Sequence, residues 1–79
     1  MTVDEWLIAL RSGRKGKQDG NVANTYYYNP LIKRFIRLTI NNNRHPLTED
    51  QLRFGVRDIH EFWLLDLPKP NLKEIYENN

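Results

Sequence analysis

Thr25-Tyr26-Tyr27-Tyr28-Asn29-Pro30-Leu31-Ile32-Lys33-Arg34-Phe35-Ile36-Arg37-Leu38-Thr39-Ile40 is the stretch whose reading decides the fold. Asn29 is a good N-cap residue, and Pro30 suits the first helical position, where its missing N–H is no loss. Leu31, Ile32, Phe35, Ile36, Thr39 and Ile40 fall on one side at helical spacing, with Lys33, Arg34, Arg37 and Asn41 on the other. The pattern predicts a second helix that starts at Asn29 and ends in Asn41-Asn42-Asn43, because asparagine tolerates left-handed backbone. The three tyrosines before it suit a short strand or an extended lead-in, with no obvious strand to pair with.

Working towards the N-terminus, residues 13–24 hold three glycines, two asparagines and almost no apolar periodicity, so they read as a loop. Before them Thr2 and Glu5 form a capping box, and Met1 and Trp6 stand at the positions of a hydrophobic staple. Val3, Trp6, Leu7 and Leu10 follow at i, i+3, i+4 and i+7, and Gly13 is a natural stop. A first helix is predicted over about residues 3–12.

Towards the C-terminus, Thr48 and Gln51 make a second capping box, Leu47 and Leu52 a second staple, and Glu49 and Asp50 favour the first turn. Leu52, Val56, Ile59 and Trp63 extend the stripe of a third helix, closed at Pro68. Gly55 within it points to a close helix crossing. Leu72, Ile75 and Tyr76 form the apolar side of a short fourth helix. The fold expected is all-α, a compact three- to four-helix domain over residues 1–67 with a long basic loop between helices 1 and 2. Residues 68–79 form a proline-bounded tail. A strand hidden within residues 14–28 would change the class to α+β.

Seventy-nine residues allow one modest domain. A hydrophobic fraction of 39 % and a charged fraction of 28 % are the balance of a globular protein. The absence of cysteine removes disulfides, thiolate-bound zinc, iron–sulfur clusters and thiol nucleophiles together. No apolar run reaches the roughly 18 residues that span a bilayer. The opening Met1-Thr2-Val3-Asp4-Glu5 is acidic where a signal peptide is basic. A cytoplasmic protein is expected.

Catalytic signals are weak. His45 and His60 are fifteen residues apart and lack metal-ligand spacing, and solvation explains each. Asp58 and Glu61 sit among Arg53 and Arg57, so surface ion pairs account for them. Ser12 has no histidine nearby. Gly16-Lys17 is followed by Gln18, which breaks the phosphate-loop pattern. The expectation is a non-enzymatic binding protein with no metal, cofactor, membrane or small-molecule substrate.

Charge is the informative feature. Residues 1–44 hold eight Lys/Arg against three Asp/Glu, whereas residues 45–79 hold four against seven. Lys33, Arg34 and Arg37 would share one side of helix 2, Arg44 follows it, and Arg14, Lys15 and Lys17 lie in the loop. Such a surface neutralises phosphates with counterion release, and Tyr26 and Tyr27 would stack on bases or contact phosphate. DNA is the first expected target. The structural alternative is a set of solvated cations around a core helix, with a tyrosine or two simply buried.

Thr2-Val3-Asp4-Glu5-Trp6-Leu7, then Thr25-Tyr26-Tyr27 leading into Leu31-Ile32-Lys33-Arg34-Phe35, then Leu47-Thr48, resembles the helical core-binding domain of tyrosine recombinases over residues 2–67. The resemblance implies DNA binding and nothing about strand cleavage, since the catalytic domain with its Arg/His/Tyr set is missing. The alternative function is a small regulator or inhibitor. It would bind a protein, or self-associate, through Phe54, Leu64, Leu65 and Leu67 at the apolar end of helix 3 and Leu72 and Tyr76 in the tail.

Overall fold

The computed structural model describes residues 1–65, and its architecture is mostly β. The element order is α1 (Val3–Arg11), β1 (Gly16–Gln18), β2 (Thr25–Asn29), β3 (Arg34–Leu38), β4 (Arg44–Leu47), α2 (Glu49–Gly55) and β5 (Phe62–Leu64). The strands form one antiparallel sheet in the order β4-β3-β2-β1-β5. Strands β1 to β4 run as a meander. The chain then crosses by way of α2 to lay β5 against the free side of β1. The expected all-α bundle is therefore overturned, and with it the resemblance to a helical core-binding domain.

The stretch 25–40 is a β-hairpin rather than a lead-in and a helix. Tyr26 pairs with Arg37, Tyr27 with Ile36, Tyr28 with Phe35 and Asn29 with Arg34. Asn29 does cap, but it caps a turn: its Oδ1 accepts from the Leu31 N–H at 3.0 Å. Lys33 closes the four-residue connection in the left-handed region at φ 54°. Leu31, expected on a helix's apolar face, stands at the hairpin tip and is 91 % exposed. The asparagine run serves the next hairpin, where Asn42 takes φ 65° and Thr39 Oγ1 accepts from the Asn43 N–H.

The expected basic loop contains β1, and Gly16 is the reason it sits where it does. A Cβ on Gly16 would lie 2.3 Å from Trp6 Nε1, so only glycine lets α1 press its indole onto this strand. The same indole N–H donates to the Trp63 carbonyl at 3.2 Å, tying α1 to β5.

Helix α1 forms as its local signals predict. The Thr2–Glu5 capping box is present, Trp6, Leu7 and Leu10 are buried, and Gly13 takes φ 103°. The Thr48–Gln51 box likewise starts α2. That helix ends at Gly55, however, and does not run on to Pro68. Gly55 is exposed, with no described residue within 4 Å of where a Cβ would point, so among the described residues no helix crosses there. Over residues 56–65 the expected third helix is instead a turn followed by β5. The expected tail, residues 68–79, lies outside the described residues.

Both helices cover one face of the sheet. Trp6, Leu7, Leu10, Leu52 and Val56 pack against Tyr26, Phe35 and Phe62, with Tyr28, Leu47 and Leu64 at the margin. Trp6 meets Tyr26 edge-on at 5.3 Å and Phe62 at 4.9 Å between ring centres. Arg53 bridges Asp4 and Glu49, while Arg11 pairs with Glu49 and lies over the rings of Tyr28 and Phe35. The two helices are thereby clamped to each other above the core.

Candidate nucleic-acid interface

Side chains alternate along a strand, so the register assigns each strand residue to a face. Phe35 and Arg37 join Tyr26 and Tyr28 beneath the helices. Arg34, Ile36 and Leu38 join Thr25, Tyr27 and Asn29 on the opposite face. Strand β4 adds Arg44 and Pro46 there, opposite Leu38 and Ile36. Lys17 and Trp63, paired across β1 and β5, complete the set. Among the described residues no helix packs on this second face.

The charge pattern follows the layers. The five strands hold Lys17, Arg34, Arg37 and Arg44 and no carboxylate at all. Asp4, Glu5, Glu49 and Asp50 are all in the helices, Asp19 and Asp58 are in turns, and Glu61 immediately precedes β5. The helix-layer carboxylate Glu49 is spoken for. Hydrogen bonds from Arg11 first and Arg53 second hold it below the ordinary glutamate range. Glu5 is likewise lowered, by the Thr2 backbone and hydroxyl of its capping box. The open face is therefore cationic without internal neutralisation by strand neighbours. Among the described residues Asp19 and Glu61, linked by a 3.0 Å backbone hydrogen bond, bring acid near one end of it.

Two aromatic rings stand among these cations. Trp63 is 37 % exposed. Tyr27 is half-buried, and Lys15 holds its ammonium 5.9 Å from the ring centre. Between Tyr27 and Pro46, Ile36 is only 4 % exposed although it lies outside the main core. It gives this face a buried apolar residue at its centre.

The expected site residues separate accordingly. Lys15, Lys17, Tyr27, Arg34 and Arg44 come together on or beside the open face. Tyr26 is buried at 4 % exposure against Trp6 and is closed to a base. Arg37 is on the covered face, opposite Tyr26. A spacing of three puts Arg34 and Arg37 side by side on a helix but on opposite sides of a strand, so their shared basic face does not exist. Lys33 is at a hairpin tip and Arg14 in the connection from α1 to β1, both exposed.

Lys17 has a structural task. Its ammonium donates to the carbonyls of Val22 and Asn24 and to the Thr25 hydroxyl, stapling the β1–β2 connection. Trp63 was not among the expected site residues, because the helical stripe assigned it to the core. The alternating pair Phe62 in, Trp63 out was the available signal.

The alternative protein-binding set is dispersed as well. Phe54 is exposed on α2 with the Arg57 guanidinium 4.1 Å from its ring centre. Leu64 turns inward against the core, and Leu65 follows β5 with its N–H donating to Lys15. Leu67, Leu72 and Tyr76 lie outside the described residues. The apolar helix end that would have joined these residues does not form, since α2 stops at Gly55.

Among the described residues no group of three or more potential ligands is placed to hold a metal ion, and no helix is long and apolar enough to cross a membrane. No family model matches the sequence, and no curated protein or solved structure is significantly similar to it.

Proposed function

We propose that the protein is a non-enzymatic nucleic-acid-binding module that engages its target through the open face of the sheet, DNA first and single strands ahead of duplex. The observation that carries this reading is an open sheet face with three strand cations, Lys17, Arg34 and Arg44, no strand carboxylate and two aromatic rings, Tyr27 and Trp63. Lys15, Arg34 and Arg44 would meet phosphates, with Lys33 and Arg14 as flanking contacts. Tyr27 and Trp63 would stack on unpaired bases, a sequence-tolerant contact worth about 1–3 kcal/mol per base. A flat, twisted sheet with rings lying on it favours splayed bases over the closed edge of a duplex. A cysteine-free chain of this kind suits a reducing, cytoplasmic setting.

The test is fluorescence anisotropy of labelled single-stranded and duplex oligonucleotides across a salt series. Three phosphate contacts on a single strand give a log–log salt slope of about −2. Arg34→Ala and Arg44→Ala should each reduce that slope by about 0.7. Trp63→Ala should weaken single-strand binding while leaving the slope unchanged. Absence of binding at low salt, or full binding by an Arg34→Ala/Arg44→Ala/Trp63→Ala protein that keeps its circular dichroism, overturns the assignment.

A further inference from the structure

The β2–β3 hairpin ends in an apolar tip. Pro30, Leu31 and Ile32 follow one another there and all three are exposed, Leu31 at 91 % and Ile32 at 50 %. Ile8, Ile40 and Phe54 are exposed too, but each stands alone in its stretch, which is ordinary for a protein surface. A run of exposed apolar residues is a burden in water that function explains better than folding. The turn that carries it is fixed. Asn29 Oδ1 accepts from the Leu31 N–H, Lys33 holds φ 54°, and the Arg34 guanidinium donates to the Lys33 carbonyl at 3.0 Å.

Cations gather behind the tip. Lys33 and Arg34 follow Ile32 directly, and both are exposed. Among the described residues neither forms an ion pair. The pairing of Gly16 with Tyr26 sets Arg14 and Lys15, which precede β1, at the same end of the sheet. Lys15 is confirmed there by its ammonium, 5.9 Å from the Tyr27 ring centre. From Asp19 to Glu49 the chain has no acid, since residues 20–48 contain no Asp or Glu. Glu49 itself is engaged by Arg11 and Arg53.

An apolar point with cations set behind it matches a layer whose surface is anionic and whose interior is hydrocarbon. We propose that the hairpin tip docks on an anionic lipid bilayer. Leu31 and Ile32 enter the boundary of the acyl chains, while Lys33, Arg34, Arg14 and Lys15 lie at the level of the headgroups. Nucleic acid fits the tip less well, because bases are met by flat rings and the tip is aliphatic. A helix would bury Leu31 and Ile32; the hairpin exposes them, and with them a membrane contact that the sequence does not suggest. Two side chains and a few cations give weak, reversible binding, far from the insertion of a spanning helix. The inference does not rest on the nucleic-acid reading.

The test is flotation of the full chain with vesicles of phosphatidylcholine alone and of an equimolar mixture of phosphatidylcholine and phosphatidylserine. The protein should float with the anionic vesicles, stay behind with the neutral ones, and be released by salt. Because the chain has no cysteine, Leu31→Cys takes a single environment-sensitive fluorophore. Its emission should shift to the blue on anionic vesicles and be quenched by nitroxide-labelled acyl chains. The same label at Ile40→Cys, 77 % exposed at the opposite end of β3, should stay in water. Leu31→Ser/Ile32→Ser should bind the vesicles at least about tenfold more weakly, with circular dichroism and oligonucleotide affinity unchanged. Lys33→Gln should lose about fivefold, the effect of one cation at the surface. No flotation with anionic vesicles, equal flotation with neutral ones, an unmoved Leu31→Cys label, or an equal response at Ile40→Cys overturns the proposal. So does a Leu31→Ser/Ile32→Ser protein that keeps its vesicle binding, or one that loses oligonucleotide binding instead, which would assign the tip to nucleic acid.

Discussion

Phe35 and Ile36 are neighbours in β3, both almost fully buried, and they leave the strand on opposite faces. Phe35 lies under the helices, edge-on to Tyr28 at 5.0 Å and covered by the Arg11 guanidinium. Among the described residues no helix lies over Ile36, whose cross-strand neighbours on its own sheet face are Tyr27 and Pro46. The same strands thus build one face that is committed to holding the protein together and another that, among the described residues, no helix covers. The covered face collects the rings and aliphatics that meet two helices. The open face collects cations, while the carboxylates among the described residues are in the helix layer and the connections.

The largest expected effect tests the covered side of this contrast. Phe35→Ala should cost about 3–5 kcal/mol, a large part of the total stability of a domain this size, whereas Ile36→Ala should cost about 2 kcal/mol, the low end for an isoleucine, because its neighbours can settle into the space. Urea midpoints of the two variants, with nucleic-acid affinity measured in parallel, check this. Equal losses would mean that something else covers the open face.

Gly16→Ala comes next. The new methyl would meet Trp6 Nε1, so the indole or β1 must shift, with a cost of about 1–3 kcal/mol. The Trp6 indole N–H should also lose its bond to the Trp63 carbonyl, visible as a moved indole NMR resonance. An unshifted resonance would contradict the close packing of α1 on β1.

The helix layer's ion pairs should matter less. Glu49 is held below its ordinary range by Arg11 and then Arg53, so its ionised form is favoured in the folded state. Its contribution is fully present above the unfolded glutamate value of about 4.3 and is lost as pH falls through the lower folded value. Half-exposed pairs are screened, so Glu49→Gln should cost less than about 1 kcal/mol at pH 7. The gap between wild type and variant should close in acid, below about pH 4. Denaturation midpoints at pH 7 and pH 3 decide it, and a gap that is constant with pH would remove Glu49 from the network.

The smallest effect has the opposite sign. Gly55 has open space around its Cβ direction and no positive φ, so Gly55→Ala should stabilise by about 0.5 kcal/mol through the unfolded chain and helix propensity. A loss of stability in a thermal melt would restore a close contact at this position.

The hairpin 25–38 was the hardest part to read, and the physical reasons are visible in it. Strand alternation is the usual sign of β structure, but Phe35 and Ile36 are both buried, one on each face, so the two-residue period is hidden. The turn at residues 30–33 contains no glycine, because Lys33 itself takes the left-handed conformation. Asn29-Pro30 then presents a helix-start signature that a side-chain-capped turn shares. The candidate face was partly legible, since Lys15, Lys17, Tyr27, Arg34 and Arg44 were expected and do gather. Trp63 was missed, and Tyr26 and Arg37 were assigned to a surface that the alternation divides.

By itself the sequence determined what is local: two capping boxes, the Trp6-Leu7-Leu10 stripe, the Gly13 stop and a surplus of cations ahead of residue 45. These depend on groups within a few residues of one another and need no partner from elsewhere in the chain. Only the tertiary structure decided the pairing of five strands, the need for Gly16 under Trp6, and which residues face outward. Strand pairing joins groups far apart in the chain, and a shift of one residue in register sends every side chain to the other face. The composition could therefore supply the cations, but the register chose which of them stand together.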